Sequence, residues 1–294
     1  GRVDEETLDQ RREQLGFNEP LIKQYWDYLS SVARLDFGTT FSDNQPVLNV
    51  VRDNGGATLT LTGAAFLLAL LIGIPLGLLA GRFRDTVPDV VIRLFGILTY
   101  AAPVFFVGYL LQAYVAAPLG LPTSGMASPI TVFAVPEKTH ILLIDAFLSG
   151  DTAAIEDVLK HLLLPALTLG LLIAGVFIRL VRVNILQTTQ SDYVEAAEAR
   201  GISPGKVSRR HAFRNALVPV ITIVGLQYAL LLGGAVLTEQ TFNWPGLGQK
   251  LVDYINDRDY GAVQGIITIF AVAVVLISLL VDIVNALIDP RVRY

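Results

Sequence analysis

The chain has 294 residues, of which 53% are hydrophobic and only 16% charged, with a formal net charge of −4 and no cysteine. Soluble domains carry roughly 25% charged residues, and the apolar residues here fall in long unbroken blocks, which points to a chain that crosses a membrane several times. The charge gives no sign of a nucleic-acid-binding face, and the lack of cysteine excludes disulfides, thiol catalysis and thiolate metal sites.

Residues 1–56 are polar, with helix-like stretches at 5–15 and 21–35, the first with Asp4 as a candidate cap. They read as a small outward-facing cap, not as an independent domain. Five apolar blocks follow, at 57–80, 95–117, 162–181, 217–237 and 264–288. Each is close to the ~20 residues that cross ~30 Å of hydrocarbon as a helix. The runs are continuous and not alternating, which favours helices over barrel strands. In the first block Gly73, Gly77 and Gly81 stand four apart. Three glycines on one face let a second helix approach closely. Tight packing is the favoured reading, with Pro75 kinking the helix; a moving hinge is the alternative.

The connecting segments differ in charge. Arg82, Arg84 and Arg93 lie in 81–94, a dense set from Arg182 to Arg214 lies in 182–215, and Arg291 and Arg293 close the chain, whereas 118–160 and 240–263 hold two Lys/Arg each. Short Lys/Arg-rich loops stay in the cytoplasm. The expected orientation therefore puts 81–94, 182–215 and the C-terminus inside, and 1–56, 118–160 and 240–263 outside. The corresponding division is an extracytoplasmic segment 1–56, a membrane domain 57–288 and a tail 289–294.

The segment from Asp192 to Pro219 carries the most information. Tyr193, Ala196, Ala197 and Arg200 share a helix face, Gly201 is a natural C-terminal stop, and Ser203 with Pro204 opens a second helix. A solvated basic loop held by anionic lipid is the plainer reading; the ordered stop and cap favour a docking element whose small alanines admit another surface.

Glu195-Ala196-Ala197 followed by Gly201 resembles the EAA loop through which ABC-importer permeases contact their ATPase. Leu15-Gly16-Phe17-Asn18-Glu19-Pro20-Leu21, Asp36-Phe37-Gly38-Thr39-Thr40, Gly73-Ile74-Pro75-Leu76-Gly77 and Pro103-Val104-Phe105-Phe106-Val107-Gly108 resemble the B-type subunit of the dipeptide/oligopeptide permeases. So do the run His211 to Pro219, Gly233-Gly234-Ala235-Val236, Glu239, Phe242, Trp244-Pro245-Gly246, Gly248 and the ending Asp289-Pro290-Arg291-Val292-Arg293. The resemblance covers nearly the whole chain.

It implies an all-α, polytopic helical fold of the ABC type I importer kind in the inner membrane of a prokaryote. Glu195, Ala196, Ala197 and Gly201 would then couple the chain to its ATPase. The chain would carry no catalytic residue, cofactor or metal. Its partners would be a second homologous permease, two ATP-binding cassette domains and an extracytoplasmic substrate-binding protein. The cargo would be di- or oligopeptides, with nickel chelates or glutathione as alternatives. Family members begin with a further spanning helix, so one more apolar segment is expected ahead of Gly1, and 118–160 is longer than usual for the family.

Other motifs carry less. Gly201 to Ser208 hints at a phosphate loop but has one residue too few between its glycines, and Val207 follows Lys206. His140, His161 and His211 lack metal-ligand spacing and read as ordinary polar or interfacial side chains. Among ionisable groups near the spans, Glu239 either caps the Trp244-Pro245-Gly246 turn or shapes an outer gate. Asp282 either pairs with an arginine such as Arg179 or lines the path. An ion-coupled carrier would place more charge in mid-membrane, often within inverted repeats. An intramembrane enzyme would need a nucleophile–base set or paired carboxylates within the spans. Neither pattern is apparent.

Overall fold

The computed structural model describes residues 18–189, 223, 227, 228, 231 and 234–288, the side chains of 189 and 284–288 apart. Its regular elements are helices, with one isolated bridge between Thr39 and Pro46. In chain order they are α1 (Leu21–Ala33), α2 (Val47–Arg82), α3 (Val87–Ala101), α4 (Val104–Leu111), α5 (Pro129–Ala134), α6 (Leu142–Ser149), α7 (Thr152–Thr189), α8 (234–241), α9 (Leu247–Asn256) and α10 (Tyr260–Ile288).

Among the described residues three helices, α2, α7 and α10, are long and apolar enough to cross a membrane. At 1.5 Å per residue α2 and α7 reach about 54 and 57 Å, well past the ~30 Å of hydrocarbon. The helix that holds the first predicted block therefore starts ten residues earlier than the block, at Val47, and runs unbroken through Pro75. The block 217–237 falls largely outside the described residues.

The block 95–117 is not one straight span. It divides into α3 and α4, which are bent by 108°. The cause is Pro103, which has no N–H to donate and crowds the residue before it out of the helical region. Ala102 accordingly lies at φ −73°, ψ 134°. Beyond α4 the backbone loosens into a π turn at Gln112–Ala116 and ends at Gly120, with φ +61°. The Gln112 amide donates to the carbonyls of Thr123 (3.1 Å) and Thr241 (3.0 Å), tying this turn to α8.

The α2–α7 pair is the spine of the molecule. The three glycines of α2 meet successive residues of α7 one turn apart. A Cβ on Gly73, Gly77 or Gly81 would lie 2.6 Å from Phe177 Cβ, 2.7 Å from Val181 Cβ and 2.8 Å from Ile185 Cγ2 respectively. The packing reading of that glycine row is the one the structure displays. Leu61, Ala65, Ala69, Leu162, Leu169, Phe177 and Val181 fill the seam. Helix α3 crosses the other side of α7 at Gly96 and Gly175, where a Cβ on Gly175 would fall 2.4 Å from the Gly96 carbonyl.

The segment before α2 is tied to the last span. Phe37, Val47 and Val50 share an apolar cluster with Tyr254, Ala262 and Ile266. The Asp259 carboxylate accepts from the backbone of Phe41 (2.5 Å), Ser42 (3.0 Å) and Ala262 (3.0 Å). Burial pushes that carboxyl up, but these hydrogen bonds outweigh it and hold it below the ordinary carboxylate value. Helix α1 is amphipathic: Lys23, Gln24, Asp27, Ser30 and Ser31 occupy one side and Leu21, Ile22, Tyr25, Trp26, Leu29 and Val32 the other. Tyr28 OH and Thr268 Oγ1 share a 2.6 Å hydrogen bond that anchors it to α10.

Candidate functional site

Two polar clusters mark the two ends of α2. Thr58 belongs to one and Gly81, beside α7, adjoins the other, so about 35 Å of helix separates them. That distance is close to the thickness of the hydrocarbon layer.

The first cluster centres on Glu239, which is 0% exposed at the end of α8. Thr58 Oγ1 donates to its Oε1 (2.7 Å) and the backbone N–H of Gln249 donates to Oε2 (2.9 Å). Thr58 Oγ1 in turn accepts from the N–H of Leu247 (2.8 Å). Leu247 and Gln249 are the first and third residues of α9, whose N-cap is Gly246. A helix N-terminus leaves N–H groups without partners, and here a carboxylate and a hydroxyl from two distant segments accept them. Trp244 Nε1 donates to the Ala57 carbonyl (2.9 Å), and the Trp244 N–H donates to the Glu239 carbonyl (2.8 Å). The turn is held shut against α2. Two glycines make room: a Cβ on Gly246 would lie 2.2 Å from Glu239 Oε1, and one on Gly248 would lie 2.7 Å from Val236 Cα.

Next to this cluster sits the 118–160 segment. Asp145, almost fully buried, accepts from the N–H groups of Lys138 (3.2 Å) and Thr139 (2.9 Å) and from the Thr139 hydroxyl (2.8 Å). His140 bridges Glu137 and Arg52, the latter through a 2.7 Å hydrogen bond from Arg52 Nε. The His140 carbonyl lies against Gly56 so closely that a Cβ there would stand 1.9 Å away. His161 is hydrogen-bonded at Nδ1 to the Asp157 carbonyl (2.8 Å). Among the described residues no cluster of His, Asp and Glu could hold a metal ion.

The second cluster was not foreseen from sequence. Asp89, 0% exposed in the first turn of α3, accepts a two-pronged pair from Arg182 on α7, at 2.7 Å (Nε) and 2.8 Å (NH2). The Asp85 N–H adds a third bond (3.0 Å), and Arg93 stands 3.6 Å away. Such a fork fixes geometry as well as charge. The only sequence signal was an acidic residue in the first turn after Pro88, and nothing in the pattern indicated that Arg182, 93 positions later, would face it.

Glu239 thus occupies a built cap. Asp282 is exposed on α10, and among the described residues it makes no ion pair with Arg179 or any other group. The coupling residues expected from sequence, Glu195, Ala196, Ala197 and Gly201, lie outside the described residues.

Comparison with known proteins agrees with this architecture. Residues 73–294 match the family of binding-protein-dependent transport system inner membrane components, and the chain belongs to that family. It is 37% identical to the di/tripeptide transport system permease protein DppB of Pseudomonas aeruginosa, over all of this chain and 87% of that protein. It is 38% identical to the dipeptide transport system permease protein DppB of Haemophilus influenzae, over 91% of this chain and 80% of that one. It is also 34% identical to the glutathione transport system permease protein GsiC of Escherichia coli K12, over 99% of this chain and 86% of that protein. The inward-facing MetNI methionine ABC transporter superposes with a TM-score of 0.61 at 14% identity, over 82% of this chain and 96% of that one. The chain therefore has the membrane fold of an ABC importer permease.

Proposed function

We propose that the chain is the path-forming subunit of an importer that carries di- and oligopeptides and is powered by separate ATPase subunits. The observation that carries this reading is likeness to peptide permeases at 37% identity over all of the chain and 38% over 91% of it. Glutathione is a second cargo reading, because a glutathione permease is 34% identical over nearly the same span. The chain itself breaks no bond. Its working partners are a second permease subunit, two ATP-binding cassette domains and an extracytoplasmic binding protein. Nucleotide-driven closure of the ATPases pushes the 192–211 element and tilts the helices between inward-open and outward-open states. Such a shift requires the ATPases to bind those states with different free energy. Glu195, Ala196, Ala197 and Gly201 form the docking face. Glu239 serves the outer rim by holding the Trp244 turn against α2, and Asp282 faces outward from α10.

The test uses proteoliposomes holding the full assembly, with ATP hydrolysis and labelled substrate uptake read together. Gly201→Val places a branched side chain where the sequence pattern calls for a glycine stop; a left-handed turn there would be strained by roughly 1–3 kcal/mol, comparable to coupling energies of ~1–3 kcal/mol. It is expected to cut uptake about tenfold or more while leaving the permease pair assembled, with Lys206→Ala close to wild type. Normal hydrolysis and normal uptake in Gly201→Val would remove this loop from the mechanism. Dipeptide and glutathione offered separately to the wild type decide the cargo.

Orientation is read independently. The natural chain has no cysteine, so single cysteines are clean reporters. Ser203→Cys is expected to react with impermeant maleimide only from the cytoplasmic side and Ser128→Cys only from outside; the opposite pattern would reverse the topology.

A further inference from the structure

A groove of about 610 Å³ opens between α3 and α7. That size lies within the ~300–1,000 Å³ of ordinary ligand sites. The two helices run antiparallel along it, since Asp89 meets Arg182 while Gly96 meets Gly175 further on. Its lining therefore has a direction. Arg93, Arg179 and Arg182 stand at the end near the α2–α3 turn, and Ile97, Ala101 and Val176 stand at the other. The crossing of Gly96 over Gly175 forms the floor.

Among the described residues, charge at the basic end is not balanced. Three arginines share a single carboxylate, Asp89, whose two oxygens are already committed to Arg182. Arg93 stands 3.6 Å from Asp89 with its side chain still 45% exposed. Arg179 is exposed and has no hydrogen-bond or ion-pair partner among the described residues. An unpaired cation at the end of an apolar groove, inside a helix that reads as a span, is costly unless an anion meets it. Outside the groove the surface stays apolar: Leu94 and Leu98 are both more than half exposed.

We propose that this groove is a binding site for an anionic phospholipid, with the phosphate on Arg179 and Arg93 and an acyl chain lying along Ile97 and Val176 towards Ala101. Tyr100 and Gln227 are the other polar side chains of the lining; with the cations gathered at one end and Ile97, Ala101 and Val176 at the other, the groove matches an amphiphile. Basic pockets between spans take up anionic headgroups for this reason. The assignment to the cytoplasmic leaflet rests on the orientation proposed above, while the site itself does not. Arg182 holds the helix pair together, and Arg179 is the headgroup contact without a partner among the described residues.

The full chain is reconstituted in nanodiscs with equal phosphatidylglycerol and phosphatidylcholine, and lipid retained after detergent extraction is counted by native mass spectrometry. The wild type is expected to retain phosphatidylglycerol preferentially. Arg179→Gln should lower that retention roughly fivefold, as loss of one cation–headgroup contact implies. Ile97→Trp, which fills the apolar end, should lower it as well. Arg84→Gln, on the same side but paired with Asp85 and outside the groove, should not. Equal retention of the two lipids by the wild type, or unchanged retention in both groove variants, overturns the proposal. Displacement of phosphatidylglycerol by a short peptide with a free carboxylate would reassign the groove to cargo and overturn it too. The permease reading is judged separately, by whether ATPase subunits co-purify.

Discussion

Gly73→Leu is expected to give little or no folded protein. A Cβ at Gly73 would already lie 2.6 Å from Phe177 Cβ and 3.0 Å from the Ala174 carbonyl, and Phe177 is fully buried. Neither neighbour can retreat, because Phe177 packs edge-on against Phe66, itself in contact with Tyr228, and Ala174 is backbone of α7. Overpacking in a dense interior costs about 1–3 kcal/mol when neighbours adjust; here whole helices must separate, so the cost lies at or above the top of that range. The measurement is the monodisperse fraction on size exclusion after mild detergent extraction. Gly63→Ala is the matched control: it lies in the same helix, and its Cβ would meet nothing within 4 Å. It should be recovered at wild-type yield. Equal yields from Gly73→Leu and the wild type would mean that the α2–α7 seam is looser than its geometry.

Glu239→Ala is expected to unfasten the Trp244 turn. It removes the acceptor of the Thr58 hydroxyl and of the Gln249 N–H, both in a buried setting. A donor left unsatisfied in a buried place costs about 1–3 kcal/mol, and loss of a helix cap about 0.5–2 kcal/mol. The sum is partly shared, so a net loss of about 3 kcal/mol is expected. Glu239→Gln should cost less, because its carbonyl still accepts from Gln249 and its amide can donate to Thr58. Thermal unfolding of the purified chain gives the global effect. Hydrogen exchange at residues 246–250 gives the local one, and those amides should exchange faster in Glu239→Ala than in Glu239→Gln. If Ala and wild type exchange alike there, the carboxylate is not the cap.

How far the fold was legible depended on the range of each signal. Apolar block length located the three long spans among the described residues, and a glycine at every fourth position marked the close-packing face of α2 without naming α7 as its partner, because both signals are written within one helix. The break between α3 and α4 was legible too, in Pro103 and the extended residue it imposes at Ala102, but the apolar run masked it. What could not be read was pairing across the chain. Glu239 meets Thr58 from 181 positions away and Asp89 meets Arg182 from 93. Hydropathy says that a charged group near a span needs a partner but not which helix supplies it. For that reason Glu239 stood open between a cap and a gate, and Asp282 between pairing with an arginine such as Arg179, which is not seen among the described residues, and lining the path. Glycines beside Trp244 had a sequence signature but no stated reason; the reason is the Glu239 carboxylate pressed against Gly246.

The chain contains two tryptophans, and they sit in opposite surroundings: Trp26 is 65% exposed and Trp244 is 1% exposed. Replacing Trp26 with phenylalanine leaves a single tryptophan, selectively excited above the tyrosine band, whose indole N–H is bound to the Ala57 carbonyl within the turn that Glu239 fastens. Water entering that turn would red-shift and quench its emission. The protein thus carries a built-in optical gauge in this turn, so a turnover cycle can be followed there in real time without attaching a dye.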